Sequence, residues 1–535
     1  MTKLHKLFSL RTTPQNQPIP GTNQVANAAG GYAWAVNDWT QLDRFLILGS
    51  EGGTYYTKPR ELTRQNAEAV MRCIAADGQR VVQRVVEISE SGRAPKNDPA
   101  LFVLAMCAGL GELPTRQAAL QALPRVARIG THLFHFMAFV EAFRGWGRGL
   151  RRGIANWYTE MTPERLAYQA VKYQQRDGWS HRDALRLAHP QAPTETHDVL
   201  FGWITQGWET AVLSESPPDA EALKLIWAFE QAKRATHEGV ILKLLTAHNL
   251  PWEAIPTRWL ASADVWRTIL PRLPMGALLR NLGRLTANGV LTPLGDETAL
   301  VIERLTDEVR LRKARIHPIA VLAAMQTYAN GRGVRGKLVW EPVTAVIDAL
   351  DRAFYRTFQN VMPTGKRLVL ALDVSGSMTW GNIAGVPGLT PRVASAAMAL
   401  VTMSVEEKVT AVAFSSKMVR LNISPRQRLD DVLRKTNKLA FGRTDCAQPM
   451  LWALKNKVKA DAFVIFTDSE TWYGKIHPIQ ALQQYRRQTN IPAKLIVVGM
   501  VANQFTIADP QDAGMLDVVG FDTATPQILS DFIVR

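Results

Sequence analysis

The chain changes its grammar once, near Pro363-Thr364-Gly365, and no other feature constrains its fold as strongly. Before that point, apolar residues recur at helical spacing. After it, short continuous apolar runs alternate with helical stretches. Ala67, Val70, Met71 and Ile74 follow i, i+3, i+4, i+7 and stop before Gly78; Val81, Val85 and Ile88 repeat the stripe up to Gly92. Asp98-Pro99 reads as an N-cap followed by an N1 proline and leads into Leu101, Leu104, Ala105 and Ala108. Thr131 opens a further helix whose stripe is Leu133, Phe136, Met137 and Val140. Alternate helices therefore start near positions 64, 98 and 131. That period suits the stacked helix pairs of a HEAT-like or TPR-like solenoid. No consensus motif repeats, so an ordinary helical domain fits the spacing equally well.

Beyond the boundary the apolar runs are Arg367–Leu372, Val409–Phe414, Ala462–Thr467 and Lys494–Val498. They are continuous rather than alternating, which predicts strands buried on both faces. Helical patterns at 392–406, 427–437, 446–458 and 478–489 lie between them. Strand–helix alternation of this kind predicts a doubly wound α/β domain. The expected division is a mobile tail over 1–20, a helical domain over 21–364 and the α/β domain over 365–535.

Composition sets outer limits. A chain of 535 residues has room for about three domains, or for one array and one ordinary domain. With 47% hydrophobic and 21% charged residues it is not a disordered chain. Cys73, Cys107 and Cys446 form no CxxC pair, so a disulfide framework and a cysteine zinc site are excluded and a reducing compartment is expected. No apolar run reaches the ~18 residues of a membrane span; the run from Val393 to Met403 is interrupted by Ser395 and Thr402. The opening residues MTKLHKLFSLRTTP are too weakly apolar for a signal peptide. The expectation is a soluble cytoplasmic monomer with no membrane partner. A formal charge of +16 favours an anionic partner. Residues 121–190 concentrate that charge, with 11 basic against 5 acidic side chains.

The first strand of the α/β domain runs into Asp373-Val-Ser375-Gly-Ser377. Ligands of open parallel sheets bind beyond the carboxyl ends of strands, which is where these residues fall. Thr444, in Gly442-Arg-Thr-Asp445, and Asp468, at the end of VIFTD, are expected at the same edge. Two carboxylates and three hydroxyls suit a hard divalent cation, Mg²⁺ above all. The bland alternative is that these hydroxyls cap turns and helices. The spacing resembles the metal-ion-dependent adhesion site (MIDAS) of von Willebrand factor A (vWFA) domains. That resemblance implies that Ser375, Ser377 and Thr444 ligate directly while Asp373 and Asp468 act through water. A haloacid-dehalogenase phosphatase would need Asp at position 375, and the Gly-x-Ser-x-Gly of an α/β-hydrolase is absent.

The basic segment spans 144–189. Arg148, Arg151 and Arg152 precede Trp157 and Tyr158, aromatics that could stack on bases. Lys172 and Arg176 are i, i+4 and are expected on one helix face; Arg182, Arg186 and His189 are i, i+4, i+7 on the next. Such a ridge suits phosphate contacts, although scattered arginines also mark an ordinary solvated face. Other motifs are weaker. His132 and His135 lack a third metal ligand and read as core histidines. Gly331-Arg-Gly333-Val-Arg-Gly336-Lys337-Leu338 imitates a phosphate loop, but no strand precedes it and Leu338 replaces the Ser/Thr that holds Mg²⁺. Its Arg332, Arg335 and Lys337, with Lys313 and Arg315, form either a phosphate-contacting surface or a plain basic loop.

Taken together, the chain resembles the Ro 60-kDa RNA-binding proteins, the TROVE-domain family, as a bacterial member. The resemblance covers roughly residues 23–534. It rests on GSEGGTYY (49–56), THLFHF (131–136), YQQRDGWSHRDALRLAH (173–189), LLRNLGRLTANGVL (278–291), KARIHP (313–318), GRGVRGKLVW (331–340), PTGKRL (363–368), GRTDCAQPM (442–450) and FTIADPQDAGMLD (505–517). It implies a HEAT-like ring closed by the A domain, with small Y RNAs on the outer basic surface, where Lys172, Arg176 and His189 match the family's contacts. It implies that the hole takes single-stranded 3′ ends of misfolded or structured noncoding RNA, including rRNA. Noncoding-RNA quality control, stress survival and transfer of RNA to exoribonucleases such as polynucleotide phosphorylase follow from the same likeness. Residues between Ser377 and Pro391 do not align with the family. A non-catalytic scaffold is the leading expectation. A protein-interaction module acting through the A-domain metal is the alternative, and a metal-dependent nuclease has too few carboxylates for a two-metal centre.

Overall fold

The computed structural model describes residues 12–50, 58–207, 220–333, 337–358, 363–383, 388–425, 427–439, 442–522 and 524–534. Residues 51–56 of GSEGGTYY, Arg335 and Gly336, and part of the 381–390 loop lie outside these.

The N-terminal half is a two-layered helical array. Helices Asp38–Leu48, Asp98–Leu110 and Gly130–Phe143 pack in one layer; Pro59–Ser91, Leu113–Val126, Arg148–Thr159 and His181–Ala188 pack in the other. Local chemistry sets the helix starts. Proline occupies the first turn at Pro59, Pro99, Pro114, Pro163 and Pro318, where its missing N–H costs nothing. Thr162 caps one helix by accepting from the Arg165 N–H, and Ser180 and Asp183 cap another reciprocally. The break expected before Gly78 falls at Asp77, whose φ/ψ of −161°/87° is non-helical inside Pro59–Ser91. A Cβ at position 78 would sit 2.2 Å from the Thr115 hydroxyl, so glycine lets the neighbouring helix approach there.

The C-terminal half is built on a six-stranded sheet. Its strands are numbered after four short ones: β1 (Val25–Ala26), β2 (Tyr32–Ala35), β3 (Gln175–Arg176) and β4 (Trp179–Ser180). The sheet contains β5 (Leu368–Asp373), β6 (Val409–Phe414), β7 (Met418–Arg420), β8 (Ala462–Thr467), β9 (Lys494–Gly499) and β11 (Met515–Val519), in the order β11-β9-β8-β5-β6-β7. All neighbours are parallel except the β6–β7 edge pair. The four predicted strands are present; β7 and β11, short and less apolar, are additional. Both faces are buried as expected. Leu368, Leu370 and Leu372 join the core continuous with the helical array, while Val369 and Ala371 face a separate cluster with Phe414, Phe463 and Tyr485.

Residues 12–36 depart from the expected division. Residues 12–20 are not a loose tail, and 13–36 belong with the A domain. Strand β2 pairs with β1 and with β10 (Phe505–Thr506), and Trp34 is buried in the cluster beneath the sheet. Gln15 is fully buried. A polar sequence such as PQNQPIPG carries no apolar signal, and its anchors are hydrogen bonds to distant loops.

The array is closed into a ring through the A domain. The Arg44 guanidinium, on the first helix, donates to the Asn503 carbonyl (2.8 Å), Asn503 Oδ1 (2.9 Å), the Phe505 carbonyl (2.9 Å) and Asp517 Oδ2 (2.6 Å). Arg93 reaches Asp522 and the Val519 carbonyl, both at 3.3 Å. At the other end, helix Thr344–Arg356 docks Phe354 on Phe521 and pairs Asp348 with Arg428 at 2.5 Å. The two ends also meet directly, since the His317 ring lies 3.2 Å from the Arg93 carbonyl. Removing one member of a buried ion pair leaves the other uncompensated. Arg44→Ala should therefore cost about 3–5 kcal/mol, read as a lowered thermal unfolding transition with loss of protease resistance at residues 500–519.

Candidate metal centre and nucleic-acid interface

The first strand, β5, has β6 on one side and β8 on the other. The strand order therefore reverses at β5, with successive connections leading to opposite sides of it, and a crevice opens at its carboxyl end. Asp373 closes β5 and Asp468 follows β8, so the topology brings them together although 95 positions separate them. Asp373, Ser375, Ser377, Thr444 and Asp468 are all buried. The Ser375 N–H donates to Asp373 Oδ1 (2.8 Å), and the Ser375 and Ser377 hydroxyls lie 3.0 Å apart. Ser377 in turn hydrogen-bonds Asp468. Thr444 sits on the adjacent loop, where its carbonyl accepts from the Trp472 and Tyr473 N–H groups (3.2 and 3.1 Å).

Burial raises the pKa of Asp373 to about 7, and repulsion from Asp468 adds to it. Burial also raises Asp468, and it raises Glu470 to about 8 with further help from Asp468. Three acids crowded in a desolvated crevice resist ionisation together, and a divalent cation is the charge that would relieve them. The donors are two carboxylates and three hydroxyls; among the described residues no three His, Cys, Asp or Glu side chains are placed to hold a metal ion together. That donor set fits a hard oxygen-seeking cation.

Several residues that shape this edge carried no recognised sequence signal. Thr467 donates to Asp373 Oδ2 at 2.7 Å. Buried Arg392 donates to the Val374 and Ser375 carbonyls and fixes the turn between Asp373 and Ser377. Gln15 reaches in from the N-terminal segment: its Nε2 donates to Asp445 Oδ1 (2.6 Å) and the Ile476 carbonyl (2.8 Å), and its Oε1 accepts from Thr471. One side chain thus ties together the loops carrying Thr444 and Asp468. The strand-end TDSET pattern could have flagged Thr467 and Glu470; nothing local could have flagged Gln15.

The basic segment differs from expectation in two ways. Helix Pro163–Lys172 ends at Lys172, and Arg176 lies on β3 of a hairpin whose turn places Asp177 and Gly178 at positive φ. Lys172 and Arg176 therefore do not share a helix face. Asp-Gly followed by Trp is a hairpin signal that outweighs the i, i+4 count. The turn is pinned by a hydrogen bond between His135 and Asp177. Lys172 is half-buried, bonded to the Tyr168 hydroxyl at 3.0 Å and 3.9 Å from Glu253. Burial disfavours its charge, but the Tyr168 bond and the nearby Glu253 hold its pKa above the usual lysine value.

Secondly, Trp157 and Tyr158 are core residues that cannot stack on bases. Trp157 donates to the Ala127 carbonyl, and the Tyr158 hydroxyl lies 2.8 Å from His181. His132 is largely buried beside Asn97, and burial lowers its pKa to about 4, as suits a core histidine. The remaining cations are exposed. Arg148, Arg151 and Arg152 are exposed on helix Arg148–Thr159, which packs against helix His181–Ala188 carrying exposed Arg182 and Arg186. His189 is exposed in the left-handed C-cap of that second helix, and Arg176 is exposed on the hairpin that precedes its start. Arg148, Arg151, Arg152, Arg182 and Arg186 have no acidic partner within 4 Å among the described residues. Among the described residues, Arg332 and Val339 form an antiparallel bridge between helices Pro318–Ala329 and Thr344–Arg356, so a helix and not a strand precedes Gly331, unlike a strand-to-helix phosphate loop.

The fold and its oxygen-lined edge define a class: a helical-repeat ring closed by a von Willebrand factor A-like domain. Residues 25–215 and 228–327 match the TROVE domain family, and residues 367–533 match the Ro60 vWA domain family. The chain belongs to the Ro, or TROVE-domain, family. It is 43% identical over 534 residues to the RNA-binding protein RO60 of Deinococcus radiodurans, covering 99% of both chains. It is 38% identical to the RNA-binding protein RO60 of Caenorhabditis elegans, covering 98% of this chain and 92% of that one. The crystal structure of the Deinococcus radiodurans RO (RSR) protein superposes with a TM-score of 0.72 at 45% identity, over 93% of this chain and 99% of that one.

The raised acids predict a pH dependence with a definite sign. Between the ordinary carboxylate range and about pH 7, the cation-free folded state binds more protons at Asp373 than the unfolded chain does. Its stability should therefore fall as pH rises from about 4 to about 7. Thermal melts in EDTA across that range check the sign; Asp373→Asn should flatten the slope.

Proposed function

We propose that the protein is a non-catalytic RNA-binding scaffold. It binds a small Y RNA on its outer basic face and single-stranded 3′ ends of misfolded or structured noncoding RNA in the ring. The observation that carries the reading is the set of exposed arginines without acidic partners on two packed helices, Arg148, Arg151 and Arg152 on one and Arg182 and Arg186 on the other. Arg176 and His189 extend the row, and Lys172 lies at its margin. Clustered arginines without acidic partners recognise phosphate, and a folded RNA of fixed shape is the ligand a rigid helical surface can select. The family relationship supports the same ligand class. Single-strand selection in the hole follows from width and charge rather than base readout.

In this reading Asp373, Ser375, Ser377, Thr444 and Asp468 hold Mg²⁺. The cation would supply a Lewis-acidic position for an incoming carboxylate or phosphate. The setting is the cytoplasm, the scaffold acts as a monomer in noncoding-RNA quality control under stress, and an exoribonuclease such as polynucleotide phosphorylase receives the RNA.

A gel-shift salt series tests the proposal with one hairpin RNA, with and without a 3′ tail, and a Y-like RNA as third ligand. Affinity should fall steeply with salt, because each phosphate contact releases counterions. The tail should strengthen binding. Arg182→Ala/Arg186→Ala should weaken the Y-like RNA at least tenfold and leave the tailed hairpin unchanged. Equal binding of duplex DNA and tailed RNA would refute selection by shape. RNA cleavage that requires Mg²⁺ and Ser375 would refute the non-catalytic reading.

A further inference from the structure

The stretch Arg144-Gly-Trp146-Gly-Arg148 links helix Gly130–Phe143 to helix Arg148–Thr159. A Cβ added at Gly145 or Gly147 would meet nothing within 4 Å, so the link stands clear of its neighbours on both sides of Trp146. The Trp146 ring reaches the Trp179 ring on β4, with centroids 5.4 Å apart and planes at 50°. Trp179 is paired with Arg176 across the hairpin. Residues directly opposite in an antiparallel pair carry their side chains on one face, so Arg176 flanks Trp179. Arg144 and Arg148 flank Trp146 along the chain, and all three arginines are exposed. Neither Arg144 nor Arg148 has an acidic partner within 4 Å among the described residues. Arg176 lies 3.6 Å from Asp177, whose carboxylate also binds His135.

Two features of this place favour an anionic, aromatic ligand. Helix Arg148–Thr159 opens on Arg148, Arg151 and Arg152 with no acid in its first turn, where the helix dipole favours negative charge. A bound phosphate reverses that penalty. The indoles are the second feature. Trp157, Trp203, Trp266 and Trp340 each donate the ring N–H to a protein oxygen. Trp146 and Trp179 have no such partner among the described residues, and their N–H groups are not sealed from water. Both pack on the core yet keep part of their surface in solvent.

We propose that Trp146 and Trp179 are the stacking platform for one unpaired base of RNA, with Arg148 and Arg176 on the phosphates beside it. The proposal rests on the RNA-binding reading and adds the feature by which this face selects its ligand: a bulged nucleotide in an otherwise paired stem. Side chains cannot read the deep major groove of A-form RNA, whereas a splayed base offers its whole ring face. Stacking tolerates any base, because each has a π face, so the selection is for an unpaired position and not for a letter. Cations at both ends of the aromatic pair set the sign of the ligand. The hairpin is also held in place, since the His135 ring that binds Asp177 turns its other nitrogen to Asp98 at 3.6 Å. Trp157 and Tyr158, the aromatics that the sequence offered for stacking, lie in the core; Trp146 and Trp179 take that role at the surface.

The test uses the full chain and fluorescence anisotropy. The probes are two labelled, blunt-ended RNA duplexes of one sequence, one fully paired and one with a single-nucleotide bulge, with a Y-like RNA in parallel. The parent should prefer the bulged duplex. Trp146→Leu keeps an apolar side chain on the core and removes the ring; it should weaken the bulged duplex about tenfold and leave the paired one unchanged. Trp179→Leu should do the same. Trp146→Phe, which keeps a ring, should melt like the parent and retain most of the preference. The Trp146 variants should keep the parent's salt slope, because no phosphate contact is removed, while Arg182→Ala/Arg186→Ala should flatten it. Equal binding of the two duplexes by the parent, equal weakening of both by Trp146→Leu, or a preference lost as fully in Trp146→Phe as in Trp146→Leu overturns the platform. If the Y-like RNA still binds in those cases, the RNA-binding reading stands without it. Failure of the parent to bind the Y-like RNA overturns that reading and the platform with it.

Discussion

A helical array has two open ends, and this molecule depends on how they are closed. The decisive interaction is the buried guanidinium of Arg44. It satisfies two carbonyls, an amide oxygen and a carboxylate of the A domain from the first helix of the array. Arg93, just after helix Pro59–Ser91, repeats the strategy, and helix Thr344–Arg356 brings the other end to the same domain. Arginine suits the task because its five donors can satisfy several fixed acceptors at once while its stem packs among apolar side chains. The A domain is thus the closing segment of the ring, and its sheet edge is held in a defined relation to the helical surface.

The same principle operates at smaller scale at that edge. Acids are buried beneath the loops and cations are left outside, so the protein carries local charge that no internal partner neutralises. Such an arrangement costs stability in the isolated chain and is relieved by ligands of the matching sign. The helical half repeats the pattern in simpler form, with unpaired arginines on one pair of packed helices. Both places present positive charge to solvent with no acidic partner within 4 Å among the described residues. The N-terminal segment braces the A domain, because Gln15 locks the loops of the sheet edge while β2 adds a strand to β10.

Much of this was legible in the residues. The change from helical stripes to continuous apolar runs located the two architectures, because burial on one face or two leaves different periodicities. Most of the oxygen set at the edge is legible too, since Asp373, Ser375, Ser377 and Asp468 end strands or follow them closely, whereas Thr444 lies in the loop before helix Gln448–Lys455. The failures share a cause. Lys172 and Arg176 were assigned to one helix by counting, but the Asp177-Gly178 turn ends that helix early. Trp157 and Tyr158 were assigned to a surface because their neighbours are basic, yet their own faces point into the core. Residues 12–20 were assigned to a loose tail because they are polar, yet polar side chains there satisfy buried groups far along the chain.

The sequence by itself determined the architecture and the chemical inventory: helical repeats, a doubly wound sheet, and a set of oxygen-bearing residues, four of them at strand ends. These depend on local propensity, apolar periodicity and the rule that ligands collect beyond strand ends, all of which act over short stretches of chain. Only the tertiary structure decided which of the cations stand free, which aromatics are exposed, and which distant side chains bind the edge together. Burial and hydrogen-bond partnership are set by contacts between segments hundreds of residues apart, as between Gln15 and Asp445, and no local pattern encodes them.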